Sequence, residues 1–334
     1  MKRLFYKLLF FFIAVTNLYG QENSVSSLAS IPSLINPSFF SMYESSFVGL
    51  LYNSDFQGSG VIGNQQSVYG SSMFSEQKFT IGFEMNNKKY TNSSYVKNNF
   101  TLHYIYNLDL DGYWKLYPGV SAGLHTRKFD TQNFIFEDQI NVLTGQINVS
   151  TSDPLFSLLN NQTYFSIGAS GLLHNSENTM IGLSINNINS PNQSLVDGEI
   201  DKLKILMSAQ FGYEIEIDKY DQSIILPTYT YLYLFNSFST YNQKIKADLQ
   251  QKLYLNDFYI VTTQQLNKFE GFNMFRTGLG VGVFLENIDL GFNYNFTTSL
   301  DSNFGIRSTE VYINFDLSRN AGRYRGDRSL FRHF

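Results

Sequence analysis

The sequence has 334 residues and no cysteine, which excludes disulfides, thiolate metal sites and cysteine nucleophiles. Charged residues make up 16% of the chain, below the roughly 25% of soluble domains, and aromatic residues also reach 16%. The formal net charge of -4 provides no overall basic field, so no nucleic-acid partner is expected. These counts favour an aromatic-rich β protein whose apolar exterior suits a membrane.

The N-terminus has the layout of a secretory signal peptide. Lys2, Arg3 and Lys7 precede a short apolar run, and the small residue Gly20 stands before a suitable cleavage point. The run is too short for a transmembrane helix, which needs about 20 residues, and no later apolar stretch of the sequence approaches that length. We therefore predict a signal peptide at 1–20. If the mature chain lives in a membrane, it must do so as a closed β-barrel.

Alternation of apolar and polar residues predicts the strands. In the clearest case, apolar residues occupy every second position from Ile288 to Phe296, and polar residues or glycine lie between them. Side chains alternate across a strand, so this ribbon has one apolar and one polar side. Comparable ribbons are predicted at 47–56, 65–74, 79–85, 100–108, 113–127, 163–174, 179–189, 207–217, 224–235, 245–253, 258–267, 275–285 and 311–317. The total of about 14 is even, as in bacterial transmembrane barrels.

The predicted connections fall into two classes of length. Tight turns are expected at one end of the strands, at 75–78, 109–112, 175–178, 218–223, 256–257 and 286–287. Most links at the other end are longer, including 57–64, 86–98, 128–162 and 190–203, whereas 236–240 is short. Transmembrane barrels show this asymmetry, with short periplasmic turns and longer outer loops.

The sequence therefore predicts an all-β fold: a transmembrane antiparallel β-barrel of about 14 strands over 47–317. An N-terminal segment at 21–46 either plugs the barrel or lies beneath it, and a C-terminal tail follows at 318–334. Aromatic residues near strand ends suit interfacial girdles or ordinary core packing, including Tyr52, Phe56, Tyr113, Trp114, Tyr254 and Phe258.

Charged residues are expected to line the polar interior. The candidate lumen-lining residues are Lys244, Lys246, Asp248, Lys252, Arg127 and Arg276. Two interpretations remain open. The charges either pair with each other and block the bore, or they line a selective pore. Gly278, Gly280 and Gly282 recur at every second position of one predicted strand, which gives a smooth inward face. That face either relieves crowding in the barrel or lets another segment pack close to it.

No pattern for catalysis is found in the sequence. Its few histidines include His103 and His125, which are predicted to point inward but too far apart for a joint site. No nucleophile elbow, zinc-binding helix or phosphate-binding loop is present. We predict no catalytic, cofactor-binding or metal-binding residues. A basic tail formed by Arg319, Arg323, Arg325, Arg328 and Arg332 is either a solvated end or a docking peptide for an acidic periplasmic protein.

Several stretches resemble the PorP/SprF family of outer-membrane proteins of the type IX secretion system of Bacteroidota. Residues 33–38 (Ser-Leu-Ile-Asn-Pro-Ser), leading to 46–52, resemble the opening of that family. Residues 165–173 followed by 181–186 resemble its central hairpin. These motifs are structural, and their common order covers nearly the whole mature chain.

The resemblance implies a non-enzymatic barrel in the outer membrane of a Gram-negative bacterium. It implies lipid around the barrel, type IX secretion components as partners, and a cargo protein with a C-terminal sorting domain, such as a gliding adhesin. The expected role is to assist secretion or surface anchoring of that cargo. The alternative is a passive porin or a transporter of small or apolar solutes.

Overall fold

The protein is described here as a computed structural model. The structure describes residues 25–42, 45–57, 60–91, 95–129, 137–141, 144–147, 161–175, 177–195, 199–218, 226–241, 244–269, 272–285, 287–297 and 306–317. The predicted signal peptide and basic tail lie outside these residues, so both remain predictions.

Long antiparallel strands make up most of the structure. They are β1 (Phe47–Gln57), β2 (Gly60–Phe74), β3 (Phe79–Tyr90), β4 (Tyr95–Tyr106), β5 (Leu108–Asp109), β6 (Trp114–Phe129), β7 (Gln162–Asn175), β8 (Thr179–Asn186), β9 (Leu206–Asp218), β10 (Thr230–Tyr241), β11 (Lys244–Leu255), β12 (Phe258–Phe269), β13 (Phe272–Leu285), β14 (Ile288–Thr297) and β15 (Ile306–Asp316). Both β4 and the short β5 that follows it pair with β6, so the two occupy one place in the sheet. The ring therefore has 14 strands.

The sheet closes on itself. Each strand pairs with its neighbours in the sequence, and the first strand pairs with the last, from Phe47↔Asp316 to Gln57↔Ile306. Closure leaves no unpaired edge, which is the condition for a sheet in lipid, where unpaired backbone groups are costly. The predicted transmembrane β-barrel is confirmed.

Apolar and polar residues alternate along the strands, so apolar side chains face lipid and polar or buried side chains face the interior. Along β14, Phe292 is 44% exposed on the outside, whereas its neighbour Asn293 is 4% exposed on the inside. The same relation holds along β15, where Val311 faces outward and Tyr312 is buried. Such an exterior is unfavourable in water and suits hydrocarbon.

Several predicted boundaries are wrong. The strand expected at 224–235 lies at Thr230–Tyr241, so 236–240 is not a loop, and the turn expected at 218–223 is a longer connection over 219–229. The outer links expected at 57–64 and 86–98 are mostly strand, because β2, β3 and β4 extend beyond their apolar runs. The long outer connections are 130–161 and 187–205.

Residues 25–42 lie in the interior of the barrel, and we call them the plug. They contain a 3₁₀ helix (Pro32–Leu34) and one turn of helix, α1 (Phe39–Met42). The carbonyl of Val25 lies near Lys246, close to the outer end of β11, while Phe40 lies beside Ser71, close to the periplasmic end of β2. The plug therefore runs down the bore from its outer half to its periplasmic half.

A further 3₁₀ helix, Glu137–Gln139, lies in the long outer connection. None of the helices in the described ranges is both long and apolar enough to cross a membrane.

Candidate functional site: the filled interior

A buried carboxylate holds the outer end of the plug. Glu310 of β15 is 0% exposed, and its two oxygens accept hydrogen bonds from the backbone N–H and hydroxyl groups of Ser26 (2.7 and 2.8 Å) and Ser27 (2.9 Å to the N–H). From β14, Asn293 donates to the Ser27 hydroxyl (2.6 Å) and Asn295 to the Ser26 hydroxyl (2.5 Å). One side chain thus satisfies the backbone and hydroxyl donors of both serines, so this cluster anchors the plug.

A second anchor comes from β11. The amide of Gln250 accepts a hydrogen bond from the backbone N–H of Ala29 (2.6 Å) and donates to the carbonyl of Ser26. Higher on the same strand, the Lys246 ammonium lies 3.4 Å from the carbonyl of Val25. These inward side chains satisfy backbone groups in the part of the plug that precedes its 3₁₀ helix.

Lys252 joins the plug to an aromatic cage. Its ammonium donates to the hydroxyl of Ser30 at 3.0 Å. The same ammonium lies 3.8 Å from the ring centroid of Tyr259, 4.9 Å from that of Tyr254 and 5.7 Å from that of Phe284. A buried ammonium needs such partners, because ring faces and a hydroxyl replace part of its lost hydration.

Asn36 clamps the middle of the plug to the opposite wall. Its side-chain NH₂ group lies within hydrogen-bond distance of the carbonyls of Gly171 and Leu183 (both 3.2 Å) and of the Gln210 amide oxygen (2.9 Å). Its own amide oxygen accepts from the N–H of Ser38 at 3.0 Å. This local bond shapes the turn before α1, so one residue sets both the path of the plug and its contact with the wall.

Two phenylalanines of α1 pack into the lower interior. Phe39 meets Phe235 edge to face, with ring centroids 6.2 Å apart, and Phe40 stacks on Phe47 at 5.8 Å. A Cβ on Gly82 would overlap the Phe40 ring, so a glycine here makes room for it. The periplasmic end of the plug is therefore held by apolar packing and its outer end by polar contacts.

Inward tyrosines fill the periplasmic half of the barrel. The Tyr259 hydroxyl lies 2.6 Å from that of Tyr312 and donates to Asp289 at 2.7 Å. Each member of the layer is at most 1% exposed and lies in the periplasmic half of its strand: Tyr69, Tyr117, Tyr231, Tyr233, Tyr254, Tyr259 and Tyr312. Of the two interpretations given for Tyr254, core packing is the one that the structure shows, because its side chain faces inward. Plug and tyrosines together occupy the lower bore.

The outer half keeps an open space above the plug. A cavity of about 220 Å³ has Ser33, Leu34, Ile35 and Pro37 of the plug as its floor. Its wall comes from polar residues of β3, β4, β6 and β7, among them His103. Among the described residues the plug lies below this cavity, which we call the outer chamber.

The match to a family defines what kind of barrel this is. Residues 17–315 match the family described as type IX secretion system membrane protein PorP/SprF. The chain belongs to the PorP/SprF family. The resemblance seen in the sequence is thereby confirmed, and components of the type IX secretion system are the partners that membership implies. This is not a known family of enzymes, and no curated protein matches the chain.

The PorP/SprF barrel is also similar in fold to solved outer-membrane barrels. The CymD monoaromatic hydrocarbon channel shares 12% identity, with a TM-score of 0.49 over 88% of this chain and 93% of that one. The Pseudomonas putida toluene transporter TodX shares 9% identity, with a TM-score of 0.46 over 90% and 94%. The KdgM porin shares 9%, with a TM-score of 0.37 over 81% and 99%. Membership of the PorP/SprF family, together with the closed β-barrel, makes the chain an outer-membrane protein, as predicted.

The candidate lumen-lining residues of β11 lie inside this PorP/SprF barrel. Lys246, Asp248 and Lys252 are buried, and the Lys246 ammonium lies 3.3 Å from the Asp248 carboxylate. Gln265 donates to the other oxygen of Asp248 at 2.6 Å. Lys244 begins β11, and its side chain lies outside what the structure describes. On this strand the charges serve pairing and plug contacts.

The two arginine candidates are also buried in the interior. Arg276 donates to the Ser308 hydroxyl at 3.0 Å and lies 3.7 Å from the carboxylate of Asp55. The guanidinium of Arg127 lies 5.8 Å from the ring centroid of Tyr95 and 5.6 Å from that of Tyr164. The arginines of the tail lie beyond the described residues, and within those residues no three potential metal-binding side chains cluster.

The glycine series of β13 makes room for the anchor of the plug. A Cβ on Gly280 would overlap the amide of Asn293, and one on Gly278 would overlap the amide of Asn295. One on Gly282 would overlap the ring of Tyr259. These contacts support relief of crowding, the first of the two interpretations, and the space lets the neighbouring asparagines reach the plug.

Proposed function

We propose that this barrel assists the secretion or surface anchoring of a cargo protein that carries a C-terminal sorting domain, such as a gliding adhesin. In this proposal the barrel performs no catalytic step and does not carry small solutes. Lipid surrounds its apolar exterior, and its partners are proteins at the two ends.

The filled bore is the observation that carries this proposal. A passive porin needs a continuous aqueous path, whereas here the plug and the tyrosine layer occupy the periplasmic half. The polar plug contacts are many and buried, so an open state would have to break the Glu310 anchor and the Asn36 clamp together. This arrangement supports a role for the barrel as a membrane-embedded scaffold and argues against the porin alternative.

The outer connections offer contact surface for a protein. Ile140 and Ile147 form an isolated antiparallel bridge in the longest connection, and both side chains are exposed. In the next connection Ile188 and Ile200 are exposed as well. Apolar side chains on loops beyond the membrane are suited to protein contacts. We assign cargo contact to these connections.

The periplasmic contact is assigned to the basic tail. The sequence places Arg319, Arg323, Arg325, Arg328 and Arg332 after the last strand, which ends at Asp316 on the periplasmic side. Such a charge run attracts an acidic partner in a salt-dependent way. Removal of 318–334 is expected to leave barrel assembly unchanged and to abolish copurification of the periplasmic components of the secretion system.

The proposal is tested by display of a reporter on cells. A fluorescent protein fused to a C-terminal sorting domain is expressed in cells with and without the barrel. The surface signal is measured as the fluorescence that protease shaving of intact cells removes. Loss of the barrel is expected to remove surface signal while total reporter is unchanged. Unchanged surface signal would contradict the proposed role.

Conductance separates this role from the porin alternative. The purified barrel, reconstituted in planar bilayers, is expected to show no sustained open level. A steady open pore in the unmodified protein would favour solute transport and overturn the proposal of a scaffold with a closed bore.

A further inference from the structure

A group of polar side chains lies on the lipid-facing side of the wall, where β10, β11 and β12 are neighbours. It consists of Asn236 of β10, Gln251 of β11, and Thr262 and Gln264 of β12, and we call it the polar patch. All four side chains are partly exposed, whereas the residues directly before and after each of them are at most 3% exposed in the interior. Because side chains alternate across a strand, the four point toward lipid.

Apolar residues enclose the polar patch along all three strands. Two residues before and after the polar positions, the same face carries Leu234 and Phe238 on β10, Leu249 and Leu253 on β11, and Ile260 and Leu266 on β12. The patch is also continuous across the strands, since Leu249 pairs with both Asn236 and Gln264, and Gln251 pairs with Thr262. The polar groups therefore lie within the apolar belt of the barrel, at the level of the hydrocarbon.

The hydrogen bonds inside the patch leave part of its amide groups unused. Gln251 and Gln264 bond each other reciprocally, each Nε2 donating to the other Oε1 at 3.1 Å, and the Thr262 hydroxyl also donates to the oxygen of Gln251. An amide NH₂ group has two N–H donors, so each glutamine keeps one N–H that no described residue accepts. The side chain of Asn236 makes no hydrogen bond to any residue that the structure describes.

Lipid cannot satisfy these amides, because acyl chains contain no hydrogen-bond donors or acceptors. Amide groups without partners are costly in hydrocarbon, and polar side chains hold transmembrane segments together by bonding across their interface. The patch therefore favours a protein surface that lies within the bilayer and carries both donors and acceptors. Each amide of the patch supplies both, so the patch is complementary to a second copy of itself.

We propose that two copies of this chain associate in the membrane through the polar patch, about a two-fold axis along the membrane normal. Such a rotation brings β10 of each copy opposite β12 of the other, so Asn236 of one copy meets the glutamine pair of the other, twice. Beside the patch, Ala209 of β9 and Ala247 of β11 pair on either side of Phe238, and these small side chains let the two walls approach. This inference goes beyond the proposed secretion role and does not depend on it.

Photo-cross-linking of the full chain in native outer membranes tests this interface. Two differently tagged copies are coexpressed, and a photoreactive benzophenone side chain replaces Leu249, which is 42% exposed and lies between Asn236 and Gln264. Irradiation is expected to give an adduct that has twice the mass of one chain and carries both tags. The control has the same group at Met85 of β3, which is 47% exposed on the opposite side of the ring, and is expected to give no such adduct.

Substitutions in the patch separate polar association from chance encounter. Gln251→Leu combined with Gln264→Leu is expected to lower the yield of the two-tag adduct at Leu249 about tenfold, because each polar contact that is lost weakens association severalfold. Leucine suits lipid, so the variant should remain folded, which heat-dependent mobility on gels verifies. Gln66→Leu is the matched control and should leave the yield unchanged, since Gln66 is an exposed residue of β2 on another part of the ring.

Several results would overturn the proposal. They are the absence of a two-tag adduct at Leu249, an adduct there with a different protein in its place, or equal yields of the two-tag adduct at Leu249 and Met85. A yield that the folded double leucine variant leaves unchanged would also do so.

Discussion

The hydroxyl of Ser38 in the plug lies 2.8 Å from the hydroxyl of Ser170 in β7. This contact is next to the Asn36 clamp, so it lies where the plug is held against that wall. Because the chain has no cysteine, a pair of thiols placed here would be the only pair present.

The double variant Ser38→Cys with Ser170→Cys is expected to form a disulfide that locks the plug to the wall. The two side-chain oxygens are in direct contact at 2.8 Å, so thiols that replace them would lie next to each other. Under the scaffold proposal, cells in which this disulfide has formed should display the reporter as well as cells with the unmodified barrel do. Display is quantified with and without a membrane-permeable reductant.

Either single cysteine variant is the control for this lock, since it alters the same position without a cross-link. A loss of display that appears only in the oxidised double variant and is reversed by reductant would show that the plug must move. That result would contradict a permanently closed bore.

The second prediction concerns the carboxylate anchor. Glu310→Gln puts an NH₂ group in place of one of the two acceptor oxygens, so the donors of either Ser26 or Ser27 are left unpaired in the interior. The cost of such a loss is about 1–3 kcal/mol. The backbone N–H groups of Ser26 and Ser27 are expected to exchange with deuterium about 5- to 150-fold faster, as measured by mass spectrometry of the plug peptide.

Glu216→Gln is the matched control for this exchange experiment, because Glu216 is an exposed residue of β9. It should leave exchange of the plug peptide unchanged. Equal exchange in the Glu310→Gln variant and the unmodified protein would mean that the carboxylate does not hold the plug.

The sequence was sufficient to predict the barrel and the orientation of its strands. Lipid on one side and polar groups on the other impose a period of two, and in β14 this alone separates Phe292 from Asn293. The boundaries were less accurate, because strands continue where both faces are polar. Glu310 was missed for this reason: β15 begins at Ile306, before the apolar run that predicted it at 311–317.

The plug contacts could not be obtained from the strand pattern. Asn36 stands out in the sequence only as part of Asn-Pro, which indicates a turn, and its partners at Gly171, Leu183 and Gln210 are far away in the chain. The inward charges Lys246 and Lys252 were assigned to the interior, yet the pattern did not indicate that both contact the plug. Long-range contacts of an irregular segment leave no periodic signal.

The third prediction tests the role of the glycine series. Gly280→Ala places a methyl group where the Asn293 amide lies, so Asn293 must move away from the Ser27 hydroxyl. Overpacking of this kind costs about 1–3 kcal/mol. The temperature at which the variant loses its folded mobility on gels is expected to fall. Gly171→Ala is the control, since a Cβ there has no atom within 4 Å, and a similar fall in both variants would refute the steric explanation.

The fourth prediction concerns the lipid-facing surface. Leu279 is 60% exposed in the middle of β13, on the outer face. A lysine at the bilayer midplane of a barrel costs about 2–4 kcal/mol, and this cost falls toward the interfaces. Leu279→Lys is expected to lower the free energy of unfolding in lipid vesicles, measured by urea titration, by about that amount.

Ile200→Lys provides the comparison, because Ile200 is 76% exposed in the outer connection between β8 and β9. A charge in that position remains in water, so the free energy of unfolding should change by less than about 0.5 kcal/mol. If the two lysines cost the same, Leu279 does not face hydrocarbon. The depth dependence therefore tests the orientation of the exterior face without any assumption about cargo, plug or chamber.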